Sequence, residues 1–495
     1  MIETLLQHGA NVNAIGGEYG SVLLAVLEWS DTPVWQTSES SGTKDDTQEE
    51  ILQTLQVLLI YGVDVNMVPD GFKSPIVQAA VRDWPRVVTF LLRNGATIPA
   101  IEETEFPELG GPTRPGRGVL RVSILSYLMP NQYQVFELLL DAGVSPEADS
   151  IESLGMTMLS FSCTSTKPEW ARTTRLLLQR GADRNRADPQ GWVPLQRAAF
   201  AGSQDHVHTL LEFGALPYVQ HPRYGTLLHS LCKGYGARQM HTVSKDDFTQ
   251  MFQLLKPHLE NDAFWRKDEH NRNCLHYLAQ LSRETLVVVS RRQKSYLSES
   301  RAVEMIKPCL EFYGRPDMVS RSPRQIVKWI LEEDQDGETA FFTAAKKGDV
   351  HVIALLVDHI KSLFRNESDS EFKEYAIASL QYHRDKNGWN ALHHAAAQGR
   401  VFSSARLMAI SDKKLATQLT PSGESASELA EKNHHYDLGD YIRLASATPG
   451  PGLEGADKVA EMFNKAASSK QTLGFSAENL LEALQEQRHR KGLGD

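Results

Sequence analysis

Leu5-Leu6-Gln7-His8-Gly9-Ala10-Asn11-Val12-Asn13 decides the fold, because the stretch returns. It reappears as Leu58-Leu59-Ile60-Tyr61-Gly62-Val63-Asp64-Val65-Asn66, and shorter copies close on Gly95-Ala96, Gly143-Val144, Gly181-Ala182-Asp183 and Gly214-Ala215. A leucine pair supplies the apolar stripe of a helix. The glycine stands where that helix must stop, a place that favours a left-handed residue, and Asp or Asn suits the turn that follows. Successive glycines lie 53, 33, 48, 38 and 33 residues apart. Two spacings equal 33, and the longer three read as the same unit carrying insertions.

A second phrase precedes each helix pair. It runs Gly191-Trp192-Val193-Pro194-Leu195-Gln196-Arg197-Ala198-Ala199, then Gly337-Glu338-Thr339-Ala340-Phe341-Phe342-Thr343-Ala344-Ala345, then Gly388-Trp389-Asn390-Ala391-Leu392-His393-His394-Ala395-Ala396. Looser copies are Gly225-Thr226-Leu227-Leu228-His229 and Asn273-Cys274-Leu275-His276-Tyr277-Leu278-Ala279, and Asp188, Asp334 and Asp385 lead three copies as Asp-x-x-Gly. A Thr or Asn at the helix start can accept a backbone N–H as an N-cap. Ala-Ala lets the helix approach its neighbour. One such unit cannot bury its apolar face alone, whereas stacked units share a continuous core.

The two linked phrases resemble the Thr-Pro-Leu-His-x-Ala-Ala and Leu-Leu-x-x-Gly-Ala-Asp-x-Asn signatures of the ankyrin-repeat family, at its period of about 33. The resemblance covers residues 1–446 in roughly ten units. The family's proline is absent from most copies and its histidine from several. It implies an all-α solenoid of degenerate helix-turn-helix units, in which hairpin tips and first helices line a concave face that grips a protein partner. The variable signature positions are the family's contact positions. Carried over residue by residue, they are Trp192, Arg197 and Phe200 in one unit and Tyr277 in another. In two further units they are Glu338, Thr343 and Lys346, and Trp389, His394 and Gln398. Trp192 and Trp389 are the sharpest of these, since Trp is enriched at interface hot spots; the alternative is that each ring packs across the adjacent hairpin. His229, His276 and His393 match the family's structural histidine, which bonds to neighbouring turns.

Three insertions interrupt the array, near residues 30–50, 99–118 and 283–335. The first holds the polar run Thr37–Asp46, and the second holds Pro107, Gly110, Gly111, Pro112, Pro115, Gly116 and Gly118, so both are expected as loops. Within the third, Ala302–Leu310 resembles a displaced second helix, and Arg291, Arg292, Lys294, Arg301, Lys307, Arg315, Arg321 and Arg324 read as a solvated basic cluster. The interrupted units between 99 and 155 and between 283 and 335 are expected to be weak joints. Residues 447–475 read as a linker and 476–495 as a helical tail that caps the array or docks on a partner. The chain starts inside a second helix, and the open edge is expected to reflect a truncated gene sequence, a fragment of a longer protein or an edge covered by a partner, the first two being favoured.

Other chemistries fit poorly. A net charge of -10 over 495 residues disfavours nucleic acid, which needs a basic surface. Cys163, Cys232, Cys274 and Cys309 are far apart with no Cys-x-x-Cys, so they read as buried reduced thiols of a cytoplasmic or nuclear protein. The N-terminus lacks a basic start and a signal-peptide core. Apolar runs such as Leu286–Val289 are too short to span a bilayer, and no membrane contact is expected. His383-Arg384-Asp385…Asn390 matches a kinase catalytic loop, yet no Asp-Phe-Gly follows and no Gly-rich loop precedes. Gly450-Pro451-Gly452…Gly455 matches a dinucleotide fingerprint, but a helix precedes it where a strand is needed. The pairs His206/His208, His393/His394 and His434/His435 are two ligands where a zinc site needs three or four that converge in space, and no His-Glu-x-x-His is present. Neither metal nor cofactor is expected. The leading reading is a non-enzymatic scaffold or adaptor. The alternatives are a recognition segment of a larger signalling protein and an enzyme with an unrecognised site.

Overall fold

The computed structural model describes residues 2–28, 44–98, 102–105, 119–122, 124–147, 156–221, 223–237, 245–259, 265–280, 301–313, 322–364, 370–411 and 414–447. The chain divides into two compact units, Met1–Leu216 and Pro217–Asp495.

The first unit opens with α1 (Ile2–Gln7). Helix pairs follow: α2 (Val22–Glu28) with α3 (Lys44–Ile60), then α4 (Pro75–Val81) with α5 (Pro85–Arg93). A 3-10 turn (Ile124–Tyr127) stands in for the next first helix, before α6 (Tyr133–Asp141). Then come α7 (Met158–Ser162) with α8 (Pro168–Gln179), and α9 (Pro194–Ala201) with α10 (Gln204–Glu212). Second helices pack on second helices, α3 on α5, α5 on α6, α6 on α8 and α8 on α10. The leucine pair explains this stacking twice over. Leu177 is fully buried, and its carbonyl accepts the Ala182 N–H at 3.0 Å while the Leu178 carbonyl accepts Gly181 N–H at 3.1 Å. These are the two bonds of a Schellman cap, closed by Gly181 at φ 91°. The same bond pair recurs at Gly9, Gly62, Gly95, Gly143 and Gly214.

The signature asparagine then staples one hairpin to the next. Asn13 donates Nδ2–H to the Gly62 carbonyl at 2.9 Å and accepts the Asp64 N–H at 2.8 Å. Asn66 does the same to the Gly95 carbonyl and the Thr97 N–H, at 2.9 and 2.6 Å. Asn185 accepts the Leu216 N–H at 2.9 Å.

The second unit runs through α11 (Leu227–Ala237), α12 (Lys245–Leu255), α13 (Cys274–Gln280), α14 (Arg301–Tyr313), α15 (Pro323–Ile330), α16 (Ala340–Lys347), α17 (Val350–Leu363) and α18 (Ser370–Gln381). It ends with α19 (Ala391–Ala397), α20 (Val401–Ile410), α21 (Lys414–Thr417), α22 (Ala426–Lys432) and α23 (Tyr436–Ala447). The first helices α11, α13, α16, α19 and α22 stack in succession. Ala344, Ala345, Ala395 and Ala396 are fully buried, as the close helix approach requires, and Phe248, Phe252, Phe341, Phe342 and Trp329 fill the core. Each such side chain contributes roughly 2 kcal/mol through burial. Thr339 and Asn390 cap α16 and α19 by accepting the N–H three residues on.

Insertions depart from expectation in two places, and in a third the expected second helix forms. The segment expected as a loop at 99–118 borders an antiparallel strand pair: β1 (Glu102–Glu105) pairs with β2 (Val119–Val122), so hairpin sheet structure is added to an otherwise helical repeat fold. Part of 30–50 is helix, because α3 begins at Lys44 with Asp45 and Asp46 in its first turn, where the helix dipole favours them. Gln48 of α3 is buried and accepts the Arg86 N–H at 3.1 Å, which satisfies the exposed start of α5. Within 283–335, α14 occupies the second-helix place beside α13, despite Pro308 inside it, and α15 packs on α17. The basic residues from Arg291 to Lys294, Arg315 and Arg321, and the tail 448–495, lie outside the described residues. All four cysteines are buried and free. Among the described residues no helix is long and apolar enough to cross a membrane.

Candidate partner-contact face

A buried aspartate organises four of the described hairpins next to first helices. Asp188 Oδ1 accepts the N–H groups of Gln190 and Trp192 at 2.9 and 3.0 Å. Asp334 Oδ1 takes those of Asp336 and Glu338 at 2.9 and 3.0 Å, and Asp385 Oδ1 those of Asn387 and Trp389 at 3.0 and 2.8 Å. Asp268, which leads a copy without the glycine, does the same for His270 and Arg272 at 2.9 and 2.8 Å. One carboxylate oxygen is thereby spent on the turn, and the other faces the first helix.

The residue nine positions later answers that second oxygen. In the first unit Arg197 donates Nε–H and Nη2–H to Asp188 Oδ2 at 3.0 and 2.5 Å. In the second unit the Tyr277 hydroxyl donates to Asp268, and His394 Nε2–H to Asp385 at 3.0 Å. Thr343 is too short to reach. Its hydroxyl bonds the Thr339 carbonyl at 3.1 Å, and Arg272 fills the vacancy by donating to Asp334 Oδ2 at 3.3 Å. Sequence reading proposed Arg197, Tyr277, Thr343 and His394 as contact positions; the structure ties each of them back into the fold.

The other proposed residues layer over these anchors. Trp192 is buried beneath Phe200, with ring centroids 5.4 Å apart, and Arg197 lies 5.1 Å over its ring. Glu338 is buried and accepts Lys346 Nζ–H at 2.6 Å. Trp389 is part-exposed and rests 4.9 Å from the His394 ring, which itself lies 4.9 Å from Phe342. Gln398 is exposed at the end of α19. In the second unit Glu338, Lys346, Trp389 and His394 thus form one cluster. Burial pushes the His394 imidazole down from its ordinary value although Asp385 opposes the shift, so the ring is neutral at pH 7.

Ligand atoms of Glu338, Asp385 and His394 lie within 4.8 Å of one another. The Lys346 ammonium already balances Glu338, and His394 already engages Asp385, so the cluster is internally paired.

Three histidines on first helices of the second unit link neighbouring hairpins. Each donates Nε2–H to a backbone carbonyl of the next: His229 to Arg272 at 3.0 Å, His276 to Glu338 at 3.0 Å and His393 to Gln418 at 2.9 Å. Nδ1 of His229 and of His393 accepts the N–H of Thr226 and Asn390, which fixes the neutral tautomer. Burial lowers the pKa of all three, to about 4 for His276 and His393.

Sequence reading missed Asp268, Arg272 and a further ion pair, Lys432 to Glu424 at 2.6 Å. The Asp-to-helix register would have found them: nine residues from Asp268 to Tyr277, and eight from Glu338 to Lys346 or from Glu424 to Lys432.

Paired helices joined by hairpins, several of them anchored by an aspartate, define a helical-repeat protein. A family model described as ankyrin repeats, in three copies, matches residues 123–221 and 318–415. Over those residues the chain carries ankyrin repeats, and repeats of this family are generally protein-interaction modules.

Proposed function

We propose that the chain is a protein-interaction scaffold or adaptor, non-enzymatic, which contacts its partner through the hairpins and first helices of its repeats. One observation carries the reading. Trp389 keeps part of its ring exposed while His394, held by Asp385, fixes it from below. A rigid, part-exposed aromatic loses little entropy when a partner covers it. Lys346 and Gln398 hold further contact positions that the repeat register assigns to the same two repeats. Four buried free thiols fit a reducing compartment, the cytoplasm or nucleus. The test is affinity purification of the partner, followed by hydrogen-exchange footprinting of the complex. Protection is expected at 338–346 and 389–398. Protection confined to the second helices α17 and α20 would overturn the reading.

A further inference from the structure

Lys233 on α11 holds a repeat position at which two other lysines are neutralised and it is not. Lys346 and Lys432 each bond a glutamate eight residues earlier, Glu338 and Glu424, both at 2.6 Å. The residue eight before Lys233 is Gly225. His221 takes the aspartate's part in that hairpin, its Nδ1 accepting the N–H of Arg223 and Tyr224 at 2.9 and 3.0 Å. Gly225 sits at φ 77°, and a Cβ there would lie 3.0 Å from Nδ1 of His229, whose ring is held between Thr226 and Arg272. A glutamate at the place that would pair with Lys233 would therefore be strained.

The cation rests on aromatic faces instead. Its Nζ is 3.3 Å from the Tyr224 ring centroid and 5.8 Å from that of Tyr277, and the side chain is part-exposed. Ring faces attract the ammonium without using its three N–H donors. Nearby carboxylates are committed elsewhere: Asp268 to Tyr277 and its own turn, Glu269 to Arg223 at 2.7 Å, and Asp334 to Arg272. Among the described residues no carboxylate comes within ion-pair distance of Lys233. Burial pushes its ammonium down from the ordinary lysine value, and the Asp268 carboxylate opposes that shift without offsetting it.

We propose that Lys233, seated between Tyr224 and Tyr277, docks a glutamate or aspartate side chain of the protein partner, which completes the ion pair that two sister repeats form internally. A carboxylate is the matching anion because a glutamate fills the equivalent place beside Lys346 and Lys432. The inference rests on the hairpins and first helices being the contact face.

The test uses the full chain carrying lysine labelled with 13C at Cε and 15N at Nζ, with the Lys233, Lys346 and Lys432 signals assigned by single Lys→Arg substitutions. The probe is N-acetylglutamate N-methylamide, with its glutamine analogue and inorganic phosphate as further arms. The Lys233 signal should reach half its shift at a probe concentration at least tenfold below that for Lys346 and Lys432, and should not respond to the glutamine analogue. The proposal is overturned if the three lysines respond together, if Lys233 does not respond, or if phosphate acts at tenfold lower concentration than the glutamate probe. Failure here is separable from failure of the contact-face reading. A Lys233 response with a partner footprint on second helices sinks only that reading, and a first-helix footprint without a Lys233 response sinks only this proposal.

Discussion

The two units meet the same structural need with different chemistry. In Met1–Leu216 the amides of Asn13, Asn66 and Asn185, which carry no titratable proton, reach the next hairpin, and the Glu147 carboxylate does so once. In Pro217–Asp495 the imidazoles of His229, His276 and His393 do so. Amide and imidazole can each offer a donor to a backbone carbonyl. Of these two, only the imidazole makes the joint depend on pH. His206 is the buried histidine of the first unit, with a pKa lowered to about 4, but it bonds Ser203 within its own repeat at 2.6 Å. The lesson is that equivalent repeats can share geometry while differing in what disrupts them.

The largest expected effects contrast the two tryptophans. Trp192 is buried under Phe200 and Arg197, so Trp192→Ala should destabilise the first unit by about 3–5 kcal/mol. Part-exposed Trp389 has less to lose, and Trp389→Ala should cost the second unit about 1–2 kcal/mol. In the complex, Trp389→Ala should weaken partner affinity about thirtyfold. Urea melts of each variant, with the partner affinity alongside, check both. Equal destabilisation would place Trp389 in the core and remove the main support for the contact face.

Acid should separate the units next. A free histidine titrates near 6.5, whereas His276 and His393 hold off protonation until about pH 4. Between those values the unfolded chain binds more protons, so stability falls as pH falls. Each ring accounts for on the order of 3 kcal/mol, fully present above pH 6.5 and lost below pH 4. Denaturant melts across that window should show the second unit weakening more than the first.

Two single substitutions sharpen the contrast. Gln196 occupies the His276 position in another repeat and is buried there, so a glutamine is compatible with the site. His276→Gln should cost about 1 kcal/mol at pH 7.5 and remove that ring's share of the acid sensitivity. A melt series that keeps the wild-type slope would assign the sensitivity elsewhere. The smallest effect belongs to Asn66→Ala, which removes the bonds to Gly95 and Thr97 on an exposed hairpin and should cost about 1 kcal/mol or less, the same at pH 7.5 and pH 5.

The repeat was legible because its defining residues have local jobs. The Leu-Leu pair, the closing glycine, the N-cap Thr or Asn and the hairpin aspartate each satisfy nearby backbone groups, so they recur at fixed spacing. The insertions were legible only in part. Glu102–Glu105 has no apolar alternation to mark a strand. The apolar spacing of Ala302–Leu310 did mark α14, which stays helical despite Pro308. At the proposed contact positions the register marked which residues stand there but not their hydrogen-bonding state. Whether Arg197 or Tyr277 faces a partner or its own aspartate depends on side-chain reach across nine residues. The isolation of Lys233 depends on a glycine where its sister repeats carry glutamate.

Hydrogen exchange followed by mass spectrometry on the full chain at pH 7.5 and pH 5.0, corrected for intrinsic rates, tests the central claim most directly. The claim is that histidines join the repeats of the second unit where asparagines join those of the first. Amides of α11, α13 and α19 should lose at least tenfold more protection at pH 5.0 than those of α4 and α5. Equal loss in both sets, or no loss in either, would contradict it.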